Sequence, residues 1–177
     1  MKRDYLGDSY DAVKRLWQQA LSGWAPLYAE PRFVPEDLQE EFTLLTGIPM
    51  LHGAPHKSYS VLNDPDVGIR LPGEENQGES RKHIALRSIR RQCGAPGLRA
   101  VITFDQSLYR HSHLKPGQQR HAKMRLLADA GLFAFYYVSH APFLFVFPDT
   151  ESREQLRQRL RRFGMPDRRF ETDERNG

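Results

Sequence analysis

The chain holds one cysteine, Cys93, in 177 residues, so no internal disulfide is open to it. A chain of this length buries enough surface to fold without one. No run approaches the 18 or so apolar residues of a membrane span. The opening Met1-Lys2-Arg3-Asp4-Tyr5 also lacks the apolar core of a secretory signal. These absences lead to the expectation of a cytoplasmic protein with no membrane partner. No Gly-x-Gly-x-x-Gly occurs, which removes the standard dinucleotide-binding fingerprint. The stretch Gly73 to Ser80 has the glycine spacing of a P-loop, but Glu79 stands where the phosphate-binding lysine belongs, and Glu74 and Glu75 lie inside it. That loop would repel a triphosphate.

The scarcest feature is local. The formal charge of +4 resolves into −6 over residues 1 to 80, +10 over residues 81 to 125 and zero over the remainder. Within the middle block the only acid is Asp105. Like charges left unneutralised raise the energy of a compact state, so an anionic partner is expected for this segment. Arg81, Lys82, Arg87, Arg90, Arg91, Arg110, Lys115, Arg120, Lys123 and Arg125 are the candidate contacts to nucleic acid or another phosphate-bearing ligand. The competing reading pairs them with the acids of residues 1 to 80. The C-terminal arginines, by contrast, alternate with Glu151 and Glu154 as on an ordinary solvated helix.

Apolar periodicity organises the rest. Val13, Leu16, Trp17, Ala20 and Leu21 recur at helical spacing behind Asp8 or Ser9 as a cap, and Gly23 stops them. A second helix follows Pro35 and ends at Gly47, with Trp24 to Pro35 as the loop between. Tyr59 to Asn63 is a short strand broken by Asp64-Pro65-Asp66-Val67-Gly68. Ser80 is expected to cap a helix bearing Ile84, Ile89 and Cys93, and Leu98 to Phe104 is the strongest strand. Met124, Leu127 and Ala130 mark a further helix, Leu132 to Ser139 and Phe143 to Phe147 an antiparallel pair, and Thr150 to Phe163 the last helix. The expectation is one α/β domain over residues 1–170, a mostly parallel twisted sheet with helices on both faces and a C-terminal antiparallel pair, followed by a frayed tail over 171–177. The aromatic run from Phe133 to Phe147 is expected in the core, or at a homo-oligomer surface if the pair forms a sheet edge.

In open α/β sheets ligands lie outside the carboxyl ends of the strands. The polar residues just past the apolar runs are Asp8, Asp64 with Asp66, Asp105 with Gln106, and Ser139 with His140. Carboxylates brought together at one edge suit Mg²⁺ or Mn²⁺, with His140 moving a proton and Lys123 and Arg120 holding phosphate oxygens. A metal-dependent phosphodiester hydrolase of the nuclease type is therefore the leading expectation. Each residue has a plainer alternative: Asp105 and the Asp64-Pro65-Asp66 run as turn formers, Asp8 as a helix cap, His140 as a buried histidine. His111, His113 and His121 suggest zinc but lack a fourth ligand. Cys93 falls on an apolar stripe and reads as an inert thiol.

Leu6-Gly7-Asp8-Ser9-Tyr10-Asp11-Ala12-Val13-Lys14 resembles the segment that many amino-methyltransferases of nucleic acids carry before their Asp-Pro-Pro-Tyr motif, and Asp64-Pro65-Asp66-Val67 half resembles that motif. The resemblance implies an S-adenosylmethionine pocket around Asp8 and Asp64. The glycine-rich methyl-donor loop is absent. A non-catalytic nucleic-acid- or protein-binding module is the remaining expectation.

Overall fold

Residues that alternate along a strand face opposite sides of a sheet, and here both sides are apolar. In the computed structural model, which describes residues 6–53, 55, 57–70, 80–106 and 114–173, this alternation builds three layers. The elements in chain order are α1 (Ser9–Leu21), β1 (Leu27–Ala29), α2 (Gln39–Thr46), β2 (Tyr59–Asn63), β3 (Gly68–Ile69), β4 (His83–Ile84), α3 (Leu86–Cys93), β5 (Leu98–Phe104), α4 (Pro116–Ala128), β6 (Phe133–Tyr137), β7 (Phe143–Phe147), α5 (Thr150–Arg162) and β8 (Phe170–Thr172).

The six-stranded sheet runs β1-β2-β5-β7-β6-β8. Strands β1, β2 and β5 are parallel, whereas β7, β6 and β8 continue the sheet in antiparallel fashion. The sheet is therefore mixed, and the expectation of a mostly parallel one is corrected. The antiparallel half has a simple origin: the short turn between β6 and β7 permits only a hairpin, and β8 then adds to the outside of β6. Phe143, Phe145 and Phe147 of β7 point to the face covered by α1 and α5, where Trp17 meets Phe143 and Phe145 edge-on. Leu144 and Val146 point to the opposite face, against Ile89 and Cys93 of α3 and Met124 and Leu127 of α4. The aromatic run is core, as its alternation requires.

Three local expectations change. The segment Trp24 to Pro35 contains β1, whose Leu27, Tyr28 and Ala29 register with Ser60, Val61 and Leu62. Three residues are too few to show a period-2 pattern in sequence. Ser80 does not open a helix; it forms an isolated bridge with His83, while Ile84 lies in β4 and α3 begins at Leu86. Phe170, Glu171 and Thr172 pair with Tyr137, Tyr136 and Phe135, so the tail expected from residue 171 is strand as far as Thr172. No described helix is long and apolar enough to cross a membrane.

Candidate functional site

The carboxyl ends of β2 and β5 form one edge with the start of β7, because Asn63 registers with Thr103 and Phe104 with Phe143. The N-terminus of α1 rises over the same edge: the Tyr10 ring stands 5.4 Å from Phe104 and 5.6 Å from His140. Between them lies a cleft of about 480 Å³ lined by Asp8, Tyr10, Lys14, Asp64, Pro65, Asp66, Val67, Lys82, Phe104 and Gln106.

The floor is ionic. Lys14 Nζ donates to Asp11 Oδ1 at 2.8 Å and to Asp64 Oδ2 at 2.7 Å, and all three side chains are buried. One ammonium serves two carboxylates. Burial opposes the charged form of Lys14, but Asp64 and Asp11 more than offset this and hold its pKa above 10.5. Asp64 moves up as well: burial disfavours its anion and Asp11 adds repulsion, against the attraction of Lys14. A buried acid displaced in this way within a cleft is a common mark of a functional site. Asp8 caps α1, its Oδ1 accepting from the amides of Tyr10 and Asp11 at 2.8 and 3.2 Å. Gln106 Nε2 donates to the Tyr10 hydroxyl at 2.6 Å and reaches the His140 carbonyl at 3.5 Å. His140 is exposed and meets the site at Tyr10 and Gln106.

Asp105 is not in this cleft. Asp64 continues the parity of Leu62 and meets α1, whereas Asp105 continues the parity of Thr103 and meets α4 on the other face of the sheet. Its Oδ2 accepts from Lys123 Nζ and from the Tyr136 hydroxyl, both at 2.7 Å, and its Oδ1 from the Ile69 amide at 2.9 Å. Lys123 is 0% exposed and Asp105 1%. Burial, reinforced by Asp105, pushes the Tyr136 phenol well above 10 and keeps it a donor. Asp105 and Lys123 therefore make a buried clasp that ties β5 to α4 and to β3, and the expectation that Asp105 joins Asp64 at one metal site is corrected. Among the described residues no group of three histidine, cysteine, aspartate or glutamate side chains is placed to hold a metal ion.

The basic segment divides. Lys82 lines the cleft, with Arg81 exposed beside it. Arg87, Arg90 and Arg91 lie along α3 around a separate surface depression, and Lys115 and Arg125 are exposed on or next to α4. Arg120 is engaged with Glu171 through two bonds of 2.7 Å, whose strength raises the guanidinium pKa further. Arg110, His111, His113 and the stretch Gly73 to Glu79 lie outside the described residues. The glycine segment Gly94 to Gly97 leads into the N-terminal end of β5, the edge opposite the cleft, where Gly97 accepts from the Tyr59 amide.

Lys14, Asp11 and Tyr10 are what strand-end reasoning missed. Their signal was present: Tyr10, Lys14, Trp17 and Leu21 follow helical spacing, so Lys14 stands on the apolar stripe, where a lysine needs a buried acid. Lys123 carries the same signal, four residues before Leu127.

Comparison of the chain with protein-family models, curated proteins and solved structures gives no significant match.

Proposed function

We propose that the protein is a phosphodiester hydrolase that takes a nucleotide or a nucleic-acid strand in the cleft beside Asp64, assisted by Mg²⁺ or Mn²⁺. The observation that carries this reading is the charge of the cleft. Among the described residues, Asp8, Asp64 and Asp66 line it and Asp11 lies behind it, opposed by Lys14 and Lys82, so its described lining carries more acid than base within a protein of net charge +4. A cleft of that sign attracts a cation, and a phosphate enters it favourably only with one.

Mg²⁺ is usually bound through one or two carboxylates plus substrate phosphate and water rather than by a full protein cage, so Asp8 and Asp66 would hold such an ion without a three-ligand cluster, leaving Asp64 for the proton. When bound, the ion supplies charge stabilisation to the phosphoryl oxygens. Asp64 is the group for proton transfer, because burial and Asp11 raise its pKa above the ordinary carboxylate value while Lys14 fixes its orientation. It takes the role that strand-end reasoning gave to His140. Lys82 at the rim and the exposed Arg81 beside it meet phosphates that extend beyond the cleft. Tyr10, oriented by Gln106 and by Phe104, offers an aromatic face to a base.

The test is cleavage of a DNA, RNA and nucleotide panel with Mg²⁺ or Mn²⁺. Asp64→Asn is expected to cost on the order of 10²–10⁴ in rate, the usual worth of a general acid or base. Cleavage that persists unchanged in EDTA, or in Asp64→Asn, overturns the reading. Stabilisation by S-adenosylmethionine alone moves it to methyl transfer, and salt-sensitive nucleic-acid binding without turnover moves it to a binding module.

A further inference from the structure

A second cleft, sharing no residue with the first, lies between α4 and the end of β8. It measures about 450 Å³ and is lined by Leu114, Gln118, His121, Ala122, Arg125 and Asp173. Its unusual member is Asp173. The residue is only 4% exposed, and its Oδ2 is buried with no hydrogen-bond partner among the described residues. A sealed carboxylate oxygen without a donor is costly to keep, and the cost is removed when a ligand brings the donor. Folding places it there because Glu171, two residues earlier, is held to α4 by Arg120, which fixes the path of the chain past β8.

Among its described lining residues, Arg125 carries the opposite sign. His121 and Arg125 are four residues apart on α4 and so share one helix face, with Arg125 exposed. A guanidinium takes a carboxylate through two parallel bonds, and a carboxylate takes an ammonium. Leu114 and Ala122 add apolar wall. One small cleft thus has a nearly buried carboxylate in its wall, to be reached by a cation, and a donor fork for an anion.

We propose that this cleft binds a free α-amino acid, its ammonium group on Asp173 and its carboxylate on Arg125. The cleft lies within the size range of small-ligand pockets, roughly 300–1,000 Å³. His121 stands beside Arg125 as a second polar contact for the carboxylate. A ligand with only one of the two charges leaves either Asp173 or Arg125 without its counterpart, which is the basis of selectivity here.

The experiment is calorimetric titration of the full chain with a panel of free amino acids, each compared with its N-acetyl and its carboxamide derivative. At least one free amino acid is expected to bind at a single site, with both derivatives at least about tenfold weaker, since each loses one charge-assisted contact. Asp173→Asn and, separately, Arg125→Ala are expected to weaken binding by at least about tenfold. In the absence of ligand, Asp173→Asn is expected to melt at the same temperature as the parent or higher, because it replaces a carboxylate whose buried Oδ2 has no hydrogen-bond partner among the described residues. The proposal is overturned if no free amino acid binds at concentrations up to about 10 mM. It is overturned equally if the derivatives bind as well as the parent compounds, if Arg125→Ala binds normally, or if Asp173→Asn lowers the melting temperature, which would show that the carboxylate serves the fold.

Discussion

The Asp105 carboxylate fills the space that a side chain at residue 68 would need. Gly68 has φ +138°, and a Cβ there would overlap Asp105 Oδ1 and come within 2.8 Å of the Asp105 Cα and 3.0 Å of the Gln106 amide nitrogen. This close approach lets Asp105 accept from the Ile69 amide and Gln106 donate its own amide to the Val67 carbonyl, which fastens the small β3-β4 sheet over the end of β5. Gly68→Ala is therefore expected to lose about 2–4 kcal/mol, through backbone strain and overpacking together. Urea unfolding measures it, and a loss below about 1 kcal/mol would show that this contact is easily relaxed.

The partner of that carboxylate is equally exposed to test. Lys123→Met keeps the length of the side chain and removes its charge, taking the ammonium from the buried Asp105 carboxylate. Breaking one side of a buried pair typically costs about 3–5 kcal/mol, and that is the expected loss. The double variant Asp105→Asn with Lys123→Met is expected to recover part of it, since neither charge is then stranded. A fully additive double mutant would show that the two residues do not act as a pair.

Cys93 lies on the α3 stripe that packs beneath the sheet, with 5% of its surface exposed. Burial pushes its thiol up to about 12. Thiolate, not thiol, is the reactive species, so the native chain is expected to resist disulfide reagents at pH 8 and to react only at the rate at which it unfolds. Reaction within seconds in the absence of denaturant would contradict this placement.

What was legible in the sequence follows from what repeats. The helix α1 announced itself through a period of 3.6 between Asp8 as cap and Gly23 as stop, and the strand β5 and the β6-β7 hairpin through continuous apolar runs. The edge strands β1 and β8 did not, because three residues carry no period and their pairing depends on partners 30 residues or more away in sequence. The strand-end rule located the cleft region but not its members, since parity decides which face each carboxylate takes. Asp64 lies one residue past Asn63 and Asp105 two past Thr103, and these offsets send them to α1 and to α4 respectively. The positive middle block is explained only in part: Lys123 and Arg120 meet Asp105 and Glu171, while the exposed arginines of α3 stay available to an external anion.

The Lys14 cluster links stability to pH with two opposite signs. Lys14 has a folded pKa raised above 10.5, so the stability it contributes is present in full below pH 10.5 and is lost as the pH rises through the higher folded value. Lys14→Met is expected to lose that alkaline limb, although it strands Asp11 and Asp64 and is less stable throughout. Asp64 is also raised, from 3.8, so its favourable contribution is present below pH 3.8 and is lost as the pH rises through its folded value. Relative to the parent, Asp64→Asn should thus gain stability as the pH rises from 3.8 through the folded value of Asp64 and hold that gain above it, while Asp11 continues to hold Lys14. Urea midpoints of both variants and the parent between pH 3 and 11 separate the two limbs. The same displacement governs turnover: the acid limb of the rate profile is expected above the ordinary value of 3.8 and to vanish in Asp64→Asn. An Asp64→Asn variant whose stability follows the parent at every pH would mean that Asp64 titrates as a surface carboxyl, and its assignment as the proton-transfer group would fall with it.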